Sequence, residues 1–213
     1  MSSVNRATIS KSLSVSFAVG SYGTAFGAAA VAAGFSVWQA CLLSLLTFTG
    51  ASQFAVIGVL GAGGTAITGI ATASLLGMRN AIYSMIMKPI LNLSGGKKLI
   101  ATQITIDESV AVSTAEEVRG AAAMRHGFWL TGGGVYLFWN LFTFLGALGA
   151  EAIGDPSVWG LDAAVPAAFL ALVWPRLKSK DDYVLAISAA VLAIALTPII
   201  AAGLPIIATA LLA

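Results

Sequence analysis

The 213-residue chain is poor in charge: only 9% of it is Asp, Glu, Lys or Arg, against about 25% in an average soluble domain. It has one cysteine, Cys41, and one histidine, His126. A single cysteine excludes an internal disulfide and any multi-cysteine metal site, and with one histidine beside it no zinc site is expected. No dense Lys/Arg run occurs, so a nucleic-acid partner is not expected. No GxxxxGK loop occurs, which excludes a self-contained ATP-driven pump. The residues 61–66, Gly61-Ala-Gly63-Gly-Thr-Ala66, fit GxGxxA formally. The strand and βαβ unit which that motif requires are missing, so no cofactor is expected. Strict alternation of polar and apolar residues, the mark of a membrane β-barrel, is also missing.

What is abundant is apolar. Residues of the hydrophobic types make up 58% of the chain. One soluble core cannot absorb that excess, and exposing it to water would cause aggregation. Lipid is the solvent that fits, and spanning its hydrocarbon takes about 20 apolar residues per helix. The reading is all-α: a polytopic transmembrane helical bundle of about seven apolar segments, some short, broken or re-entrant, forming one integral membrane domain over residues 1–213.

The first segment covers 13–33 and is read as a retained helix, not a cleaved signal. Its Gly23 and Gly27 form a GxxxG pair, which lets another backbone approach closely. The second covers 37–60, with Thr49, Gly50, Ser52 and Gln53 near its middle. The third covers 66–91 and holds Arg79 and Asn80 well inside. Residues 92–103 are polar. Thr105 and Glu108 have capping-box spacing, and the helix they open is expected to run to about 118 and to lie at an interface or against protein, because Glu116 and Glu117 make it too polar for lipid. The fourth segment covers 128–150, with Trp139 and Asn140 deep inside. The acidic loop 151–160 follows, then 161–174 with Asp162 as its expected N-cap. Segments 183–197 and 199–213 are separated at Pro198. Short, interrupted helices are frequent in transporters, where broken ends face a binding site.

Cytoplasmic loops collect Lys and Arg. Lys97, Lys98, Arg119 and Arg125 place the central loop inside, as do Arg176, Lys178 and Lys180 the later one. Arg6 and Lys11 would hold the N-terminus inside as well, yet three simple crossings would then leave Lys97 and Lys98 outside. Either the N-terminus is outside, or an early segment does not cross once. A re-entrant hairpin bent at 50–53 resolves the conflict, as do two short crossings.

Arg79 is the most informative residue. A central arginine costs from about 2.5 to well over 10 kcal/mol and needs a partner. A guanidinium can clamp a carboxylate with two parallel hydrogen bonds. Thr49, Ser52 and Gln53 offer neutral hydroxyls and an amide that could bind a zwitterion without further charge, although hydrogen bonding between helices explains them equally. Asp107 could receive an ammonium group or a proton. The expected substrate site comprises Thr49, Gly50, Ser52, Gln53, Arg79, Asn80 and Asp107. No catalytic residue is expected: an intramembrane enzyme would need a nucleophile and base, or paired acids, within a span, and those are missing. A non-transporting scaffold, whose glycines only pack helices, is the main alternative to a transporter.

These residues carry a family resemblance across most of the chain. Phe48-Thr-Gly-Ala-Ser-Gln-Phe54 resembles the Gly-Ala-x-Gln-Phe signature of the AzlC family, the large subunit of bacterial branched-chain amino acid exporters. The glycine-rich segment 16–27, Leu76-Gly-Met-Arg-Asn-Ala-Ile-Tyr-Ser84, Ile106-Asp-Glu-Ser109 and Gly160-Leu-Asp-Ala-Ala-Val-Pro166 resemble further stretches of that family. The departures are Gly77, where the family commonly has Asn, and Asn80, where it commonly has His. A proton role for that histidine therefore does not transfer. The resemblance implies a secondary transporter that exports leucine, isoleucine and valine, with methionine a further candidate. It also implies a small hydrophobic AzlD-type membrane subunit as partner, protons as the coupling ion, and a multi-pass location in the plasma (inner) membrane of a bacterium or archaeon.

Overall fold

The structure, a computed structural model, describes residues 6–154 and 163–210; Asp162 and most of the loop 151–160 lie outside them. The described residues are helical, without strands. Two helical segments are long and apolar enough to cross a membrane: Arg6–Ala32, of 27 residues, and Ala121–Ile153, of 33.

The first of these is not one helix. It is α1 (Arg6–Gly20) and α2 (Gly23–Ala32), separated by a turn at Ser21 and Tyr22. It lies along α8 (Ala121–Ile153), and the two run parallel, because contacts rise together in number. The Ser16 hydroxyl donates to the Thr131 carbonyl at 3.2 Å. Gly20 faces Phe138, Gly23 faces Trp139 and Thr143, and Gly27 faces Thr143 and Ala147. The GxxxG pair is thus helix packing, with Gly146 of α8 answering from the other side against Thr24. At the N-terminal end of both helices Glu116 is buried and accepts from Thr8 at 3.0 Å and from Arg119 at 2.8 Å. That pairing gives the polar stretch after α7 a reason to be there.

The second segment is broken. Ser36 and Gln39 form a capping box that opens α3 (Val37–Leu46). The chain then leaves helical geometry at residues 47–50, where Gly50 takes φ +61°, a left-handed value that suits glycine. α4 (Ala51–Gly61) follows. The bend therefore precedes Ser52 and Gln53, which lie in the first turn of α4. At ten and eleven residues, each helix is about 15 Å long, half the hydrocarbon thickness. Trp38 packs on Phe144, Ser44 approaches Thr143, and Phe48 packs on Tyr136, so α3 descends along α8. α4 then climbs back, since a Cβ on Gly61 would sit 2.9 Å from that of Ala33. The pair is a helical hairpin.

α5 (Ala66–Leu91) opens on Thr65, whose hydroxyl accepts the Thr68 N–H. It runs from the Gly61 end to the Glu116 end, where Met87 and Leu91 pack with Phe128. Asn92, at φ 46°, closes it in left-handed geometry. The polar stretch 92–103 contains a further helix, α6 (Gly96–Gln103). α7 (Asp107–Thr114) is shorter than the sequence suggests and begins without the expected capping box. Thr105 donates instead to the Ala101 carbonyl at 2.7 Å, and Ser109 accepts the Ile106 N–H at 3.0 Å. Ile104 lies against Gly132, Val112 against Gly127, and Ser113 donates to the Met124 carbonyl. α7 therefore returns along α8 to the Glu116 end, making α6 and α7 a second helical hairpin, approaching from the opposite end to the first.

α9 (Ala164–Val173) is a ten-residue helix that packs on α2 and α4. α10 (Lys180–Leu196) opens on a Ser179–Asp182 capping box. The N–H groups of Ser179 and Lys178 donate to the Asp182 carboxylate and hold its pKa below the usual value for aspartate. The helical pattern stops before Pro198, and α11 (Leu204–Thr209) packs on the start of α5 through Gly203 and Thr72.

Candidate functional site

Each hairpin reaches the middle of α8 with its bend. A helix that starts there presents the N–H groups of its first turn, which have no partner inside the helix, and a positive dipole end. The α4 start, Thr49, Gly50 and Ala51, and the α7 start, Ile106, Asp107 and Glu108, line the same cavity of about 390 Å³. That volume lies within the range of small-molecule sites, about 300–1,000 Å³.

Arg79 enters from the middle of α5. Its Nη1 lies 2.7 Å from Asp107 Oδ2, and its Nη2 donates to the Thr49 carbonyl at 3.4 Å. The guanidinium so joins both tips. A guanidinium has five N–H donors, so this leaves donors for a further acceptor. Arg176, just beyond α9, reaches the same Asp107 oxygen at 3.4 Å, and Tyr83, one turn along α5 from Arg79, interacts with that carboxylate too. The other oxygen, Asp107 Oδ1, is buried and has no hydrogen-bond partner among the described residues. A buried acceptor left open in this way costs free energy until a donor fills it.

The walls are apolar. Phe54 meets Phe26, Trp139 and Phe169 edge to face, with ring centroids 5.5, 6.4 and 6.0 Å apart. Val19, Phe48, Leu76 and Val135 complete the lining. The arrangement offers a paired cation and carboxylate with helix-end N–H groups beside them, next to an aliphatic and aromatic surface.

Five of the seven residues expected from the sequence line this cavity: Thr49, Gly50, Arg79, Asn80 and Asp107. Ser52 and Gln53 do not. Both are buried, Ser52 faces Gly77 of α5, and Gln53 donates to the Leu43 carbonyl at 3.4 Å. Gln53 ties α4 back to α3, and Ser52 packs against α5. Sequence reasoning missed Glu108, Trp139 and Arg176. Glu108 is a lining residue, not the capping partner of Thr105. Trp139 lies on an apolar span with nothing to mark its facing. Arg176 looks like a cytoplasmic loop residue until α9 carries it to Asp107. Among the described residues no group of three or more His, Cys, Asp or Glu could hold a metal ion. His126 stays outside the site, exposed and bonded to the Ala122 carbonyl.

Residues 14–153 match the family model of the AzlC protein. An uncharacterized membrane protein of Archaeoglobus fulgidus is 35% identical over 159 residues, which is 73% of this chain and 68% of that protein. No solved structure matches the chain.

Proposed function

This chain belongs to the AzlC family of membrane proteins, and from that premise we propose that it is a secondary transporter that exports branched-chain amino acids through the cavity between its two hairpin tips. The observation that carries the reading is the Arg79–Asp107 pair, 2.7 Å apart in the lining of a cavity of about 390 Å³ at the two hairpin tips. A zwitterion supplies what each group lacks. Its ammonium would pair with the Asp107 carboxylate, and its carboxylate would take the spare N–H groups of Arg79 and the start of α4. Its side chain would lie on the Phe48, Phe54 and Trp139 surface.

The reading places the protein as a multi-pass protein in the plasma membrane of a bacterium or archaeon. α1–α2, α5 and α8 cross the bilayer, the two hairpins enter from opposite faces, and the shorter apolar helices after residue 163 complete the seven-segment bundle. This disposition answers the charge problem in the sequence, because Arg6, Lys11, Lys97, Lys98, Arg119 and Arg125 then share the cytoplasmic side. The reading includes a small hydrophobic AzlD-type subunit as partner and protons as coupling ion.

Reconstituted vesicles loaded with labelled leucine, isoleucine, valine or methionine test it, with and without the partner and a pH gradient. One methylene is worth only about 1–3 kcal/mol in an apolar pocket, so all three branched substrates should leave faster than from protein-free vesicles. Efflux equal to that of empty vesicles for every substrate would remove the assignment.

A further inference from the structure

The two hairpins share more than a shape. α3, α4 and α5 form a sequence of half-helix, break, half-helix and long helix, and α6, α7 and α8 repeat it. The first set enters from the Gly61 end and its long helix leaves toward the Glu116 end. The second set enters from the Glu116 end and its long helix runs the other way. When the starts of α4 and α7 are aligned, Ala51 on Asp107, the residues around them fall into register. Thr49, Ala55 and Val56 recur as Thr105, Ala111 and Val112. The buried positions Phe48, Gln53 and Phe54 fall on the buried positions Ile104, Ser109 and Val110.

Besides Arg79, two side chains of the second unit reach the end of α3, and one of them, Tyr136 of α8, donates to the Leu45 carbonyl at 3.2 Å. Gln103, the last residue of α6, donates from Nε2 to the carbonyls of Leu45 at 2.9 Å and Leu46 at 3.3 Å. Those carbonyls end α3, where a helix leaves its last acceptors unpaired. The matching residue of the first hairpin, Thr47, makes no such bond and donates back to its own helix at Leu43. The staple is therefore one-sided, although the two units around it correspond.

We infer that Val37–Leu91 and Gly96–Ile153 are two inverted copies of one unit, and that Gln103 is the positioning residue that joins their tips and has to release the first hairpin each time a solute passes. The inference rests on the transport reading above. Two corresponding units whose tips are joined by a few polar contacts, Gln103 and Tyr136 on the end of α3 and Arg79 on Asp107, can settle in two unequal arrangements, and a solute held between the tips can leave toward either face only when they part. The bond counts in the rate of that exchange, not in the contacts that hold the solute.

A cysteine pair tests it. Leu46→Cys with Gln103→Cys, in a Cys41→Ala background, puts one thiol on each tip. Before cross-linking, the pair should export leucine with a maximal rate changed by about 2- to 13-fold, the equivalent of one hydrogen bond, and, since Gln103 does not line the cavity, with a KM within about twofold of the parent. A short thiol cross-linker should then stop efflux while leucine binding persists, and a cleavable linker should restore it on reduction. Undiminished efflux from fully cross-linked protein overturns the inference and leaves the transport reading standing. No leucine efflux from the parent protein overturns both. Gln103→Ala gives the same readout without a linker: a changed maximal rate supports the staple, and a raised KM at unchanged rate contradicts it.

Discussion

Arg79→Ala is expected to reduce amino acid export by about 10- to 150-fold while the protein still inserts and stays monodisperse in detergent. The figure follows from hydrogen bonds to a charged group, worth about 1.5–3 kcal/mol. The arginine touches both tips, through Asp107 at 2.7 Å and the Thr49 carbonyl at 3.4 Å, so its loss removes a substrate contact and the brace between the half-helices. Asp107 keeps a cation nearby in Arg176, and that partner limits the damage to the fold. Arg79→Lys should recover little, because an ammonium cannot bond a carboxylate and a carbonyl in the fork geometry of a guanidinium. The measurement is initial efflux from vesicles at matched protein density. Full export by the alanine variant would take Arg79 out of the mechanism.

Gly27→Leu is expected to lower the midpoint of thermal unfolding sharply, and here the loss is in packing. A Cβ on Gly27 would run into the Thr143 carbonyl and lie 2.7 Å from the Ala147 backbone nitrogen. Both obstacles are main chain of a helix, so no side chain can rotate away. Overpacking costs about 1–3 kcal/mol where neighbours can yield, and more where they cannot. In lipid, close backbone packing of this kind is a main source of helix association. Gly149→Ala is the matched control: on the same α8 nothing lies within 4 Å of the added carbon, and alanine is the better helix former by about 1 kcal/mol. That variant should unfold at or above the parent temperature. Equal midpoints for the two variants would show that α2 does not pack on α8 through its glycines.

Much of this was legible in the sequence, for reasons that differ by residue. Composition alone demanded lipid. Gly50 between two apolar half-segments pointed to the first hairpin as one way to balance the lysine count, beside two short crossings or an N-terminus on the outer side. Arg79 stood out because a guanidinium in apolar surroundings needs a partner, and Asp107 proved to be that partner. The second hairpin was hidden. Residues 96–103 include two lysines and a glutamine, so they read as a loop, and the bend at Ile104–Ile106 carries no glycine. Thr105 and Glu108 mimicked a capping box while the threonine bonded backward and the glutamate turned to the cavity. Ser52 and Gln53 have the chemistry of a substrate site, but the face of α4 that they occupy is set by the Gly50 bend, and no periodicity reports that. Arg176 is far from Asp107 in sequence, and only the path of α9 brings them together.

The central claim is that opposite ends of one small molecule are held by the two tips. Binding by the purified protein tests it directly, with leucine compared against 4-methylpentanoate, which lacks the ammonium, and 3-methylbutylamine, which lacks the carboxylate. The account predicts saturable heat of binding for leucine and at least tenfold weaker binding for both analogues. Binding of either analogue as tight as that of leucine would contradict it.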